Sequence, residues 1–242
     1  MDYSIVIPGF NEAGNIKPLI EEILGACGPA LDYEILYVDD GSEDDTQHEL
    51  RSVMSGGCYR LRAIRHPRRH GQSTAICTGV RAAHGRWIVT MDADGQNDPA
   101  DIPHLLAHRQ TCDCNDTPLL IAGQRRRRCD SQRKRIASRI ANGVRRAFLG
   151  DAVNDTGCGL KLFPRAGFLE LPQFDHMHRF LPALFQRQGG KVVVVEVNHR
   201  PRARGISKYG IHDRLWTGIV DLLGVMWLKR RISRSDYLEV RA

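Results

Sequence analysis

The chain has 242 residues, 42% of them hydrophobic and 26% charged. That suits one α/β domain with a short appended element and excludes disordered, collagen-like and low-complexity chains. The net charge is +7, yet Arg125 to Arg146 alone holds ten basic residues against the single acid Asp130; a basic patch on a near-neutral body calls for an anion or an anionic surface as partner.

Asp2 follows Met1 and the apolar run Ile5-Val6-Ile7 stops at Pro8, so the start does not read as a secretory signal. Tyr3 to Ile7 reads as a strand, Asn15 to Leu24 as a helix with Ile16, Leu19, Ile20, Ile23 and Leu24 on one side, and Tyr33 to Val38 as a buried strand. Asp44 to Met54 reads as a helix, Arg60 to Ile64 as a strand, Ser73 to Ala83 as a helix and Trp87 to Met91 as a strand. This alternation predicts an α/β fold with a mostly parallel sheet, whose ligands sit beyond the carboxyl ends of the strands. Further on, Leu119 to Ala122 reads as a strand, Ser131 to Leu149 as a basic helix and Leu160 to Phe163 as a short strand ended by Pro164. Arg179 to Gln188 reads as helical, Val192 to Val197 as a strand and Ile211 to Leu228 as a last helix. Residues 1–210 are therefore expected to form the main domain and 211–242 an amphipathic helix with a basic tail. No run approaches the roughly 18 uncharged apolar residues of a spanning helix. The seven cysteines show no Cys-x-x-Cys pair, as expected of reduced thiols in a cytoplasmic protein.

The polar clusters fall at the strand ends. Asp92-Ala93-Asp94 after the fourth strand pairs two carboxylates that can hold Mg²⁺ or Mn²⁺ together with substrate phosphate oxygens. Asp39-Asp40-Gly41-Ser42 after the second strand offers a carboxylate to a nucleobase N–H or a ribose hydroxyl, or else caps the following helix through Ser42 or Asp44.

Four motifs occur in order: Ile7-Pro8-Gly9-Phe10-Asn11-Glu12, Val38-Asp39-Asp40-Gly41-Ser42, Met91-Asp92-Ala93-Asp94-Gly95-Gln96-Asn97-Asp98-Pro99, and Arg202-x-x-Gly205-x-Ser207-Lys208-Tyr209-Gly210. Together they resemble the family 2 glycosyltransferases of the GT-A fold, and within them the dolichol-phosphate mannose synthase branch and its bacterial polyprenyl-phosphate relatives. The resemblance implies that Pro8, Phe10 and Glu12 line the nucleotide pocket, with Phe10 lacking the hydroxyl of the family's frequent Tyr. It implies that Asp39 and Asp40 serve the nucleotide, and that Asp92, Ala93, Asp94 and Gln96 gather the donor diphosphate, with Asp92, Asp94 and Gln96 on the metal. Arg202, Ser207 and Lys208 close over the diphosphate, so that Asp92, Asp94, Arg202 and Lys208 are the catalytic set. Asp155, in Asp155-Thr156-Gly157-Cys158-Gly159, is placed beside the sugar, with His178 and Arg179 near the same pocket. The processive signature Gln-x-x-Arg-Trp is missing, which favours transfer of one sugar.

The basic helix bears on the acceptor. Ile136, Ile140, Val144 and Phe148 form an apolar stripe beside Arg135, Ser138, Arg139, Asn142 and Arg146. In the branch resembled, Arg and Ser of this region bind the acceptor phosphate, which assigns that role to Arg125, Arg135, Ser138 and Arg139; the competing reading is a basic face for anionic lipid headgroups. The last helix puts Ile211, Leu215, Ile219, Leu222 and Met226 on one side and Asp213, Thr217 and Asp221 on the other, with Lys229-Arg230-Arg231 at its end. It reads as an interfacial anchor, as a core helix, or as a dock for a separate membrane subunit. The expectation is an inverting, metal-dependent transferase moving one hexose from GDP-mannose or a UDP-hexose to a polyprenyl phosphate, peripheral on the cytosolic face of a membrane. A glycan hydroxyl acceptor is the alternative. A nucleic-acid-binding module is the remote one, since the arginine cluster lacks interleaved aromatics and no nucleic-acid motif appears.

Overall fold

The computed structural model describes residues 1–112, 117–126, 142–150, 153–202 and 211–231, with the backbone only over 211–217. Its elements are β1 (Tyr3–Gly9), α1 (Ile16–Cys27), β2 (Tyr33–Asp39), α2 (Thr46–Ser55), β3 (Leu61–Arg65), α3 (Gln72–Ala82), β4 (Trp87–Thr90), α4 (Ile102–Thr111), β5 (Leu119–Arg125), β6 (Lys161–Pro164), α5 (Arg165–Leu169), α6 (Leu181–Arg187), β7 (Lys191–Val197) and α7 (Ile211–Arg230). Residues 142–149 are also helical.

The strands form a seven-stranded sheet in the order β3-β2-β1-β4-β6-β5-β7. Every pairing is parallel except those of β6, which runs against both β4 and β5. The central strands β1 and β2 are apolar on both faces because helices cover both sides. On one side, Ile16, Leu19, Ile20 and Ile23 of α1 pack on Ile5, Ile7 and Ile35. On the other, Ile76 and Val80 of α3 meet Val6 and Leu36, and Phe163 stacks on Phe168 with ring centroids 5.1 Å apart. Gly79 lets α3 approach closely, since a Cβ there would overlap the Val6 side chain.

Two helices were not expected from sequence. In α4, Pro103 sits in the first turn, where a missing N–H costs nothing, and Asp98 accepts the Ala100 N–H at 3.0 Å just ahead of it. In α5, Pro164 ends β6 and immediately precedes the first helical turn. Of the expected basic helix, residues 142–149 are helical, while 127–141 lie outside the described residues.

The outer half of α7 lies against the body. Val225 is buried, Leu222 and Met226 pack on the second core, and Arg187 Nε donates to the Leu228 carbonyl at 2.8 Å. Lys229 donates to the Leu149 carbonyl. Ile219, Val220, Leu223 and Trp227 face outward. No helix among the described residues is long and apolar enough to cross a membrane.

Candidate active site

The loop after β4 is built around Asp92. Its backbone N–H donates to Asn97 Oδ1 at 3.1 Å, and Gln72 at the start of α3 donates to its Oδ1 at 2.8 Å. Thr90 Oγ1 donates to the Gly159 carbonyl at 2.7 Å, holding that glycine against the Asp92 carboxylate. Burial, then the neighbouring Asp94 charge, pushes the Asp92 pKa up to about 6 against the opposing pull of Lys161 and Arg125. Lys161 is itself buried. Its ammonium donates to the Thr156 carbonyl at 3.3 Å and to that of Cys158, and desolvation pulls its pKa down. Asp94 accepts the Gln96 N–H at 3.1 Å, which seats Gln96 beside it, and Ala93 between the two aspartates is buried.

The segment following β7 straps across this loop. Asn97 and His199 form an isolated antiparallel bridge, the Arg200 N–H donates to the Gln96 carbonyl at 3.0 Å, and the Arg200 guanidinium joins Glu22 at 2.6 Å to Asp98. The strap delivers Arg202, whose Nη2 lies 3.0 Å from Glu12 Oε1 and 3.2 Å from Asp94 Oδ2. Its buried Nε has no hydrogen-bond partner among the described residues.

Pro8 lies near the end of β1, and Phe10 and Glu12 lie on the loop that follows it. Asn11 adopts a left-handed conformation (φ 54°), its N–H donates to Ser42 Oγ at 2.8 Å, and its Oδ1 accepts the Glu43 N–H at 2.8 Å, locking this loop to the one after β2. The Arg69 guanidinium lies 4.5 Å over the Phe10 ring. Glu12 is oriented by Asn15 Nδ2 at 2.8 Å and by Arg202. Asp39 accepts the Ser42 N–H at 2.8 Å and stands 3.7 Å from Arg65 Nε. Asp40 pairs with His66 Nδ1 at 2.8 Å and accepts the His70 and Gly71 N–H groups at 2.9 and 2.7 Å, so it ties down the loop before α3.

Arg125 and Asp155, expected to serve different ligands, face each other. Nε and Nη2 of the guanidinium reach Oδ2 and Oδ1 at 2.6 and 2.7 Å, with both side chains largely buried. Arg145 turns inward as well, to Thr156 and the Val153 carbonyl. Both described ends of the basic segment thus hold the 153–156 loop. Arg135, Ser138, Arg139, Ser207 and Lys208 lie outside the described residues. Sequence reasoning missed Lys161 and the two-carboxylate contact of Arg202; the signal for Lys161 was a cation inside the apolar run Leu160 to Phe163.

The chemistry of this donor set fits a divalent cation. Among the described residues no cluster of three or more metal-ligating side chains occurs. Asp92 and Asp94 supply two carboxylates, the buried Asp92 with its pKa pushed up to about 6, and a Mg²⁺-type ion would share such a pair with substrate phosphate oxygens.

The mostly parallel sheet, with the carboxylate pair at the end of its fourth strand, bears out the GT-A glycosyltransferase fold expected from the four motifs. The chain belongs to glycosyl transferase family 2: the model of that family matches residues 4–170. It is 33% identical over 240 residues to the dodecaprenyl-phosphate galacturonate synthase of Rhizobium johnstonii, covering 98% of this chain and 70% of that protein. It is 32% identical over 210 residues to the undecaprenyl-phosphate 4-deoxy-4-formamido-L-arabinose transferase of Edwardsiella ictaluri, covering 86% of this chain and 63% of that one. Among solved structures, glucosyl-3-phosphoglycerate synthase from Mycobacterium tuberculosis, in complex with Mn²⁺, uridine diphosphate and phosphoglyceric acid, superposes with a TM-score of 0.70 at 23% identity, over 97% of this chain and 80% of that one. At that identity the likeness concerns the fold.

Proposed function

We propose that the protein transfers one sugar from a nucleoside-diphosphate sugar to a polyprenyl phosphate at the cytosolic surface of a membrane, with inversion at the anomeric carbon. The observation that carries the reading is Arg202 joined to both Glu12 and Asp94: one guanidinium links the nucleotide loop to the carboxylate pair where a diphosphate would lie. Residues 1–210 supply the transferase domain. The similarity to named polyprenyl-phosphate transferases supports a lipid phosphate acceptor.

Pro8 and Phe10 border the nucleotide pocket and Asp39 receives the base or ribose, while Asp40 shapes the neighbouring loop from beneath. Asp92 and Asp94, with Gln96 beside them, hold Mg²⁺ or Mn²⁺, which when bound neutralises charge on the leaving diphosphate. Arg202 has a buried Nε without a partner among the described residues and two carboxylate contacts, so it can turn donors toward diphosphate oxygens; Ser207 and Lys208 follow it in the chain. A phosphate monoester has its second pKa near 6 and is already anionic at neutral pH, so no general base is required to activate it. Positioning does much of the rest. Arg125, Arg135, Ser138 and Arg139 are assigned to the acceptor side, with Arg125 reaching it through its pair with Asp155 at the sugar pocket. Ile219, Val220, Leu223 and Trp227, followed by Lys229, Arg230 and Arg231, rest α7 on the membrane surface. The test is calorimetric binding of nucleotide sugars with Mn²⁺: binding lost with chelator and in Asp94→Ala is expected, and binding indifferent to both would overturn the reading.

A further inference from the structure

A cleft of about 320 Å³ opens beside the carboxylate pair. Among the described residues Arg69, Gln72, His176, His178 and Arg179 line it, with the Asp175 carboxylate on its wall 3.7 Å from His176 Nε2. Its position is fixed from three directions. Gln72 donates to Asp92 at 2.8 Å, so the cleft borders the reacting centre; Arg69 covers the Phe10 ring, so it borders the nucleotide loop. On the far side, His176 Nδ1 lies 3.1 Å from Asp221 Oδ2, which ties the cleft to α7. His178 is held by Ser73 Oγ at 2.7 Å from its Nδ1. His176 has φ 61°, one of two left-handed non-glycine residues among those described; the other is Asn11 in the nucleotide loop. A bulky residue persists in that conformation where the surroundings enforce it, a feature that concentrates at ligand-binding sites.

We propose that this cleft is an oxyanion subsite, which takes either a carboxylate borne by the transferred sugar or the phosphate of the lipid acceptor. Two guanidinium groups, Arg69 and Arg179, and the His178 imidazole converge on one concavity beside the leaving-group site, while His176 stands between Asp221 and Asp175; such a density of cationic donors is more than a neutral hydroxyl-bearing sugar needs. The inference rests on the transferase reading and names the ligand charge that the site recognises.

The test reads binding, not turnover, so its failure is separable from failure of that reading. Calorimetry with Mn²⁺ present compares UDP-galacturonate with UDP-galactose, and farnesyl phosphate with farnesol, for wild type, Arg179→Gln and Arg179→Lys. The expected result is that at least one anion binds wild type more tightly than its neutral counterpart. Arg179→Gln then weakens that anion about tenfold or more, the size of a lost charge-assisted hydrogen bond, while Arg179→Lys recovers part of it and UDP binding is unchanged. A loss confined to UDP-galacturonate assigns the cleft to the sugar carboxylate, and one confined to farnesyl phosphate assigns it to the acceptor. Equal binding of anion and neutral partner in both pairs, or Arg179→Gln within twofold of wild type for both anions, would overturn the proposal. If UDP itself fails to bind while farnesyl phosphate still responds to Arg179→Gln, the donor half of the transferase reading falls and the subsite stands.

Discussion

Gly159 leaves the space that the Asp92 carboxylate fills: a Cβ at position 159 would overlap the carboxylate carbon and both its oxygens. The glycine belongs to the loop before β6 and the aspartate to the loop after β4, so the pair welds the antiparallel strand to the candidate metal site. Gly159→Ala is expected to displace Asp92 at a cost of about 1–3 kcal/mol. It should weaken metal-dependent donor binding more than binding of the nucleoside alone. Chemical denaturation and calorimetry on the same sample check both halves.

The Arg125–Asp155 pair is bidentate and largely buried. Removing one partner strands the other's charge, which costs roughly 3–5 kcal/mol in such settings. Asp155→Asn should therefore destabilise the fold by about that amount, measured by urea denaturation. A change under about 0.5 kcal/mol, the level of an ordinary surface substitution, would show the pair to be unimportant for the fold.

Asp92 sets a pH dependence. Its folded-state pKa of about 6 lies above the ordinary 3.8, so between those values the native state holds a proton that the unfolded chain has released. The contribution of this group to the stability of the metal-free protein is then fullest below about pH 4 and is lost as pH rises through about 6, by on the order of 3 kcal/mol. Denaturation midpoints at pH 4.5 and 7 in the presence of chelator, for wild type and Asp92→Asn, isolate the effect. The variant should lose less stability across the interval.

Membrane docking through α7 makes a separate prediction. Leu223→Glu places a charge in the outward stripe of Val220, Leu223 and Trp227 without touching the buried Val225. Partitioning onto anionic vesicles should drop about tenfold, given the transfer energy of a leucine side chain. Sedimentation of the protein with vesicles measures it, and donor binding should stay as in wild type.

The sequence makes the left half of the sheet plain because β1, β2 and β4 are short β-branched runs that stop at acidic or Pro-Gly turns, a local signal. It does not reveal that β6 runs antiparallel, since strand direction depends on the path of the chain between β5 and β6. The helix α4 escaped because Pro103, His104 and His108 blur its apolar stripe, leaving Ile102, Leu105 and Leu106 as its buried anchors. In α7 the periodicity is visible, but which side faces in is a tertiary matter: Asp221, read as part of a polar side, meets His176, while Ile219 of the apolar side faces outward. The carboxylates Asp92 and Asp94 were legible as motif residues. The pairing of Asp94 with Arg202, across more than 100 residues, was not, because no local pattern encodes a long-range ion pair.

Single-sugar transfer to a lipid phosphate is the reaction proposed for the Asp92–Asp94 site. The most direct measurement incubates the protein with labelled nucleotide sugars, Mg²⁺ or Mn²⁺ and undecaprenyl phosphate, and follows label into the organic phase. Label is expected in the extract with at least one donor, and chelator or Asp94→Ala should abolish it. Metal-dependent donor binding with no lipid label for any donor, or label appearing only on an added glycan, would contradict the proposed reaction.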